Sequence, residues 1–383
     1  MQCSVSLLSQ LFPCARSHPR NPSSMLANST ALNCSLGHPD VLEDVLKVSL
    51  MVLLIFAITL GNVVSLLVFQ RCRQFKTSQG YLKTSLALAD VAVGLLVIPY
   101  SVYKEVNRLA YGREEGSNLE SMVPCFIMGP LYAGCTFVSI TTIFLLSVER
   151  SIAVIKPLHK RVVITKKRTI CIIILSWVLS FVLAIIPMFS GDEIVLQYSS
   201  CSQMCNYVFT AKKALESNWN IMLLFPAFDF SILGGTFAIN LATFAVIRQY
   251  SKVRKQLEVD LQSTCSRLSF SDITAAKTIG ILTFAFSVSF IPIAVFVVGN
   301  VMGYEWCKFS FYAFWILTSN SCWNVVIYSA RDAKFRQGLR ELFIRQPLKS
   351  PSQRCAAAPA KQNSTASSPC VAVLKEIFRP ETT

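Results

Sequence analysis

The sequence predicts an all-α membrane protein, a seven-transmembrane helix bundle with a short amphipathic eighth helix. Three observations lead there. Of 383 residues, 53% are hydrophobic and only 15% are charged, where soluble domains carry roughly 25% charged residues. Apolar runs close to the roughly 20-residue length that spans a bilayer recur along the chain. The net charge of +15 is concentrated in alternate connections between those runs.

The runs are Val45–Phe69, Leu82–Val102, Pro124–Ile152, Ile170–Phe189, Ile221–Ile247, Ile279–Val298 and Phe309–Ala330. Arg71, Arg73, Lys76 and Lys83 follow the first run. Lys156, Lys160, Arg161, Lys166, Lys167 and Arg168 follow the third, and Arg248, Lys252, Arg254, Lys255 and Arg267 the fifth. The other connections carry Glu114, Glu115, Glu120, Asp192, Glu193 and Glu305. The positive-inside rule then places the N-terminus outside the plasma membrane and the C-terminus in the cytoplasm. A charge spread in this way argues against nucleic acid as a partner and for a lipid bilayer.

Residues 1–44 form an extracellular arm in which Asn28-Ser29-Thr30 and Asn33-Cys34-Ser35 fit the glycosylation pattern. Val5–Phe12 is short for a signal peptide and lacks a basic start, so the first run can itself direct insertion, and Met25 is an alternative start to Met1. The membrane-spanning body covers 45–343. At its end, Phe335, Leu339, Leu342 and Phe343 share one helical face with basic residues opposite, the pattern of a helix lying on the inner leaflet. The tail, 344–383, is rich in Ser, Thr and Pro, a disordered composition. Cys355 is its better-placed palmitoylation candidate.

Cys3, Cys14, Cys34, Cys125, Cys201, Cys205 and Cys307 fall on the outer, oxidising side. Cys125 opens the third span. Cys201 and Cys205 compete as its partner, with Cys205, nearer the fifth span, favoured; connectivity is not written in the sequence.

Within the spans, Asp90 sits among apolar residues, and an ionisable group at that depth is a functional candidate. Asn62, Ser139, Asn320, Ser321 and Asn324 reach comparable depths if helices alternate in direction. Such oxygens either coordinate a small hard cation such as sodium or hydrogen-bond one another. Glu149-Arg150 ends the long apolar run of the third span. There Arg150 has Glu149 beside it and Asp272, at the start of the sixth span, across the helix gap, the two partner sets of a two-state element. A snorkelling arginine is the plainer alternative. Pro99, Pro187, Pro226 and Pro292 each remove a helical hydrogen bond.

In order and at matching spacing, Gly61-Asn62, Leu86 with Ala89-Asp90, Cys125, Glu149-Arg150-Ser151 with Pro157-Leu158, Trp177, Ala275-Ala276-Lys277-Thr278, Phe286, Pro292, Asn324 through Tyr328, and Phe335 resemble the rhodopsin-like (class A) family of G-protein-coupled receptors. The resemblance spans about Val45 to Phe343, with the subfamily unresolved and orphan-like. It implies a receptor, without enzymatic chemistry, that passes an extracellular ligand signal to a heterotrimeric G protein through outward movement of the sixth helix. Glu149, Arg150, Asp272 and Tyr328 would form the switch. Ile140, Phe286, Phe290 and Pro292 would form the activation core, and Asp90, Ser139, Asn320, Ser321 and Asn324 a site for an allosteric sodium ion. Arrestin and receptor kinases are implied partners of the tail.

The departures are Ser151 after the arginine, Phe290 for the usual tryptophan, Val325 for the usual proline, and Ile232 and Asn240 where proline and tyrosine are usual. They bear on basal activity, and a constitutively active or chemosensory orphan receptor is the alternative reading. Tyr132 stands where aminergic receptors carry an aspartate, which argues against a biogenic amine held in that manner. Thr318 stands where opsins carry the retinal lysine, which argues against a photoreceptor. Ligand-pocket candidates are Tyr132, Asp229, Tyr103, Glu105 and Tyr312, with Lys104 and Asn300 near the mouth. Asp229 is the oddity, an acid within Phe225-Pro226-Ala227-Phe228-Asp229-Phe230. A transporter would need broken helices and paired acids. A zinc enzyme would need histidines in the spans, and His18, His38 and His159 all lie outside them.

Overall fold

The computed structural model describes residues 41–111, 119–155, 164–189, 194–209, 221–260, 270–302, 304 and 306–343, with side chains described except at 41, 111, 119–122, 208–209, 250–260 and 270–276. Asn28, Asn33 and Cys355, candidates for modification, lie outside the described residues, as does the side chain of Asp272.

Among the described residues, seven helices form the bundle. α1 is Val41–Arg71. α2 runs as Ser78–Ala92, a π turn at Val93–Val97, and Ile98–Tyr111. α3 is Leu119–Ile155, and α4 is Lys166–Ile185 with a 3₁₀ turn at Ile186–Phe189. A 3₁₀ turn at Ile221–Leu223 leads into α5, Leu224–Asp260; α6 is Phe270–Val301 and α7 is Cys307–Arg331. α8 is Ala333–Phe343.

Each helix outruns the apolar segment that predicts it. α5 continues beyond Ile247 to Asp260, and α6 begins at Phe270, ahead of Ile279. Thr77 and Thr165 mark two starts, their hydroxyls accepting from the backbone N–H of Gly80 (3.2 Å) and Arg168 (3.4 Å). Among the described residues, six helices are long and apolar enough to cross a membrane. α7, with 25 residues, is long enough but carries buried Ser310, Thr318, Asn320 and Asn324 on its inner side. The lipid-like exterior shows in side chains such as Leu53 and Phe284, 64% and 67% exposed.

The long connection before α5 contains an element that the sequence reading did not include. β1 (Ile194–Ser199) and β2 (Met204–Phe209) pair antiparallel, with Leu196 opposite Tyr207 and Tyr198 opposite Cys205. Gln203 closes the turn with φ of 54°, uncommon for a side-chain-bearing residue. Its amide donates to Glu105 at 3.1 Å, which holds it there. This ribbon lies over one end of the bundle, and α8 lies at the other.

The main core is built from residues of α1, α2, α3, α5, α6 and α7 with Met204 of the ribbon, among them Met51, Leu86, Ile140, Leu233, Phe286 and Trp315. A second cluster at the α8 end joins Phe69, Phe75, Leu282, Tyr328 and Phe335. Gly338 of α8 makes this docking close: a Cβ there would lie 2.7 Å from Val68 and 3.1 Å from the Cys72 sulfur. Of the predicted apolar face of α8, Phe335 is therefore covered by protein, while Phe343 is 69% exposed.

Candidate functional site

Beneath the ribbon, α3, α5, α6 and α7 line a cavity of about 100 Å³. Its walls are chiefly aromatic and aliphatic, including Phe137, Phe225, Phe290 and Phe314. Tyr132 and Asp229, both predicted for the pocket, line it, as does Asn300. The Tyr132 hydroxyl is already engaged, 3.0 Å from Thr318 Oγ1 and donating to the Phe314 carbonyl at 3.3 Å. Asp229 is 8% exposed, and its Oδ1 has no hydrogen-bond partner among the described residues.

Tyr103, Glu105 and Tyr312 do not line this cavity. Tyr103 and Tyr312 are 59% and 54% exposed. Glu105 is fully buried, but it accepts from Arg108 Nε (2.8 Å), the Tyr198 hydroxyl (2.8 Å) and the Gln203 amide (3.1 Å). Arg108 also donates to Asp44 at 3.0 Å, so this network fastens the ribbon to α2 and α1. Burial first, then the Glu105 carboxylate, pushes the Tyr198 phenol up in pKa. Depth along a helix placed Tyr103, Glu105 and Tyr312 near the mouth, but depth does not say which face of the helix a side chain takes; a π turn at Val93–Val97 also rotates the later faces of α2.

Two disulfides tie down the ribbon. Cys125–Cys205 is the favoured pairing; Cys201 is bonded instead to Cys307, at the start of α7, a partner the sequence reading missed. Trp315 adds a third tie, its indole N–H donating to the Ser202 carbonyl at 3.1 Å. On β2 the Tyr207 phenol donates to the Ala184 carbonyl at 2.6 Å, and burial pushes its pKa up to about 12.

Phe290 lines the cavity from α6 and stacks on Phe286 one turn below, with ring centroids 4.9 Å apart and planes 19° apart. Ile140 is fully buried in the same core, and Pro292 lies inside α6 just above the stack. Under Phe286 is a second, far smaller cavity of about 10 Å³, lined by Asp90, Ser139, Asn320 and Ser321 among others. Asn324 donates to Asp90 Oδ2 at 2.9 Å, and the Ser321 hydroxyl hydrogen-bonds the same carboxylate. Asn62 donates to the Ser321 carbonyl at 2.9 Å, which fixes α1 against α7. A volume of roughly 10–15 Å³ holds one water-sized body. One carboxylate with hydroxyl and amide oxygens around such a space suits a small hard monovalent cation, so the residues present fit the expected ion.

At the α8 end, Arg150 Nε lies 3.2 Å from Glu149 Oε2, with the two residues 8% and 5% exposed. Arg150 lies between two openings. One, of about 490 Å³, is lined by Asn240, Thr243, Lys277 and Thr283 of α5 and α6; the other, of about 640 Å³, by Glu149, Lys83 and Asp332. Asn240, in place of the expected tyrosine, donates to Thr283 at 2.9 Å and links α5 to α6. Asp272 lies in the first turn of α6, and its contact with Arg150 rests on a side chain outside those described. Tyr328 is buried among Phe69 and Phe335, its hydroxyl without a hydrogen-bond partner among the described residues.

Lys83 corrects the sequence reading. Grouped there with the basic connection, it lies within α2, 6% exposed, with Nζ 2.8 Å from Asp332 Oδ2 and 4.5 Å from the Tyr328 ring centroid. Asp332 also accepts from the backbone N–H of Lys334 (3.0 Å) and Phe335 (3.2 Å), capping α8. Its burial opposes the charged form, but Lys83 and those N–H groups outweigh this and hold the carboxyl below the usual carboxylate range.

A seven-helix bundle with a ribbon-covered cavity at one end and a Glu-Arg pair at the other defines a membrane receptor. Residues 61–328 match the family described as 7 transmembrane receptor (rhodopsin family), and the chain belongs to that family. It is a multi-pass membrane protein of the G-protein-coupled receptor class, not an enzyme. Similar proteins include the histamine H2 receptor of Canis lupus familiaris, 25% identical over 336 residues (86% of this chain, 87% of that one). The alpha-1A adrenergic receptor of Oryzias latipes is 26% identical over 350 residues (84% and 72%), and the adenosine receptor A3 of Bos taurus 23% over 333 (85% and 97%).

Proposed function

We propose that this receptor sits in the plasma membrane with the ribbon end outside and the α8 end in the cytoplasm, takes its ligand in the cavity under the ribbon, and engages a heterotrimeric G protein through Arg150. The basic residues Arg71, Arg73, Lys76, Lys166, Lys167 and Arg248 support that orientation. The observation that carries the switch reading is the buried Glu149–Arg150 pair at the junction of two openings. A charge held there is available to an incoming partner once α6 moves outward at Pro292. Asp272 restrains Arg150 beforehand, and Tyr328 shifts from its aromatic packing as α7 rearranges. Sodium at Asp90 favours the resting arrangement, since a ligand shifts an equilibrium only through unequal affinity for the two states. Serines and threonines of the tail serve receptor kinases and then arrestin. The relatives give the transporter alternative no support, and their names point to different small molecules, histamine and adenosine among them, so likeness alone does not choose the ligand.

The test is ligand-free cyclic AMP and calcium output in cells expressing the chain at matched surface levels, with an N-terminal epitope read on intact cells. Output that Arg150→Ala abolishes and Asp272→Ala raises is expected, as is surface staining without permeabilisation. Equal output from all variants, above untransfected cells, would count against the switch. High output from the unmodified chain would favour a constitutively active receptor.

A further inference from the structure

We infer that the cavity under the ribbon binds a small organic monocation, an ammonium group on one apolar ring or one branched alkyl chain, with the Asp229 carboxylate as its counter-ion. This rests on the receptor reading only in treating that cavity as the ligand site.

Three observations fix the chemistry. Asp229 is 8% exposed and lines the cavity, and Oδ1 lacks a partner among the described residues. A buried carboxylate without a partner is costly, and a mobile cation can supply what the protein does not. Second, the cavity's described lining contains no lysine, arginine or histidine, and Asp229 is its only acid. That composition disfavours anions. One carboxylate in apolar walls also falls short of the 6–8 oxygens that a divalent cation such as calcium takes. Third, the walls bring aromatic faces to the same space. Phe225 packs edge-on against Phe137 at 5.2 Å and against Tyr207 at 5.9 Å, and such rings attract a cation and cover an apolar body.

Size sets the body. A dry apolar cavity of about 150 Å³ holds benzene, so this one, of about 100 Å³, is matched in scale by one ring or a branched alkyl group. Tyr132 faces the same space, but its hydroxyl is bound to Thr318 and Phe314. The charged end therefore turns to α5, away from α3.

The experiment follows the thermal unfolding midpoint of the purified full-length chain in lipid nanodiscs, titrated with benzylamine and isopentylamine and, as neutral matches, benzyl alcohol and isopentanol. The amines are expected to raise the midpoint in a saturable way and the alcohols not to. Asp229→Asn, close in shape to the original, is expected to fold and to weaken the amine response roughly tenfold or more. Ala133→Phe, which fills the cavity and leaves Asp229 in place, should abolish it. Equal responses to amine and alcohol, no response to either amine, or an undiminished response in Asp229→Asn would each overturn the assignment. The midpoint needs no G protein. Nucleotide exchange on a purified G protein, measured separately, tests the receptor reading: lost exchange with an intact amine response counts against that reading, and the reverse against the counter-ion.

Discussion

Lys83 and Asp332 form an ion pair of 2.8 Å whose side chains are 7% and 19% exposed, and it joins α2 to the junction of α7 and α8. Because Asp332 also caps α8 and Lys83 lies over Tyr328, one contact sets the position of a whole helix. Lys83→Met should lower stability by about 2–3 kcal/mol, short of the full cost of an unpaired deep charge because Asp332 reaches water. Asp332→Asn added to Lys83→Met should recover part of that loss, since asparagine still caps and no lone charge is left. Thermal unfolding of the three variants measures the coupling, and additive losses would show that the pair is not coupled.

The same pair gives a pH dependence. The Asp332 carboxyl is held below its ordinary value of 3.8 in the folded chain. Its contribution is therefore present above that value and is lost as pH falls through the lower folded value. Melting temperature across acidic pH should fall more steeply for the wild type than for Asp332→Asn. Parallel curves would exclude this carboxylate as a source of the acid sensitivity.

Cys201 and Cys307 are 106 residues apart in sequence. Constraint of a loop of about 100 residues is worth up to roughly 4.7 kcal/mol in the chain-entropy model. The Cys125–Cys205 bond already restricts the same chain, so the Cys201→Ser/Cys307→Ser double variant should lose about 2–4 kcal/mol. Non-reducing unfolding of the two serine pairs, each against wild type, reads the difference; a Cys201 pair variant as stable as wild type would contradict it.

Phe286 is 1% exposed and stacks on Phe290 between the two cavities. Phe286→Ala should cost about 3–5 kcal/mol, while Phe286→Leu should cost under roughly 1.5 kcal/mol. Equal losses would overturn this and mean that leucine recovers none of the packing, so that the aromatic stack itself carries the contribution.

If the space beside Asp90 takes sodium, sodium chloride should raise the melting temperature above that in choline chloride at the same ionic strength. Asp90→Asn should flatten the difference. A sodium response of the same size in the variant would assign the ion elsewhere.

Some of this was legible in the sequence and some was not, for physical reasons. Asp90, Ser139, Asn320 and Ser321 stand out because polar side chains in apolar runs are rare and helical depth can be counted. Depth alone does not give the face, and so Glu105, at the right end of α2, turned out to bond Arg108, Tyr198 and Gln203 and not to line the cavity. Lys83 was misread because a basic residue one turn into a helix is indistinguishable from the connection before it. Its partner is 249 residues away. The ribbon has a local signal, the β-branched and aromatic residues of Ile194–Ser199 and Met204–Phe209. It is too short to stand out beside seven apolar runs. Cys201–Cys307 has no local signal at all.

The two disulfides and the Trp315 contact make the ribbon a yoke across α3 and α7. Helices pinned at one end do not slide freely; they swing about the pin, and displacement grows with distance from it. α7, of 25 residues, is roughly 37 Å long, so a tilt of about 10° at the yoke carries its far end roughly 6 Å. Asn62 on Ser321 and Lys83 on Asp332 hold α7 below the yoke, so a disturbance beneath the ribbon reaches Tyr328 and Asp332 only as those two contacts yield.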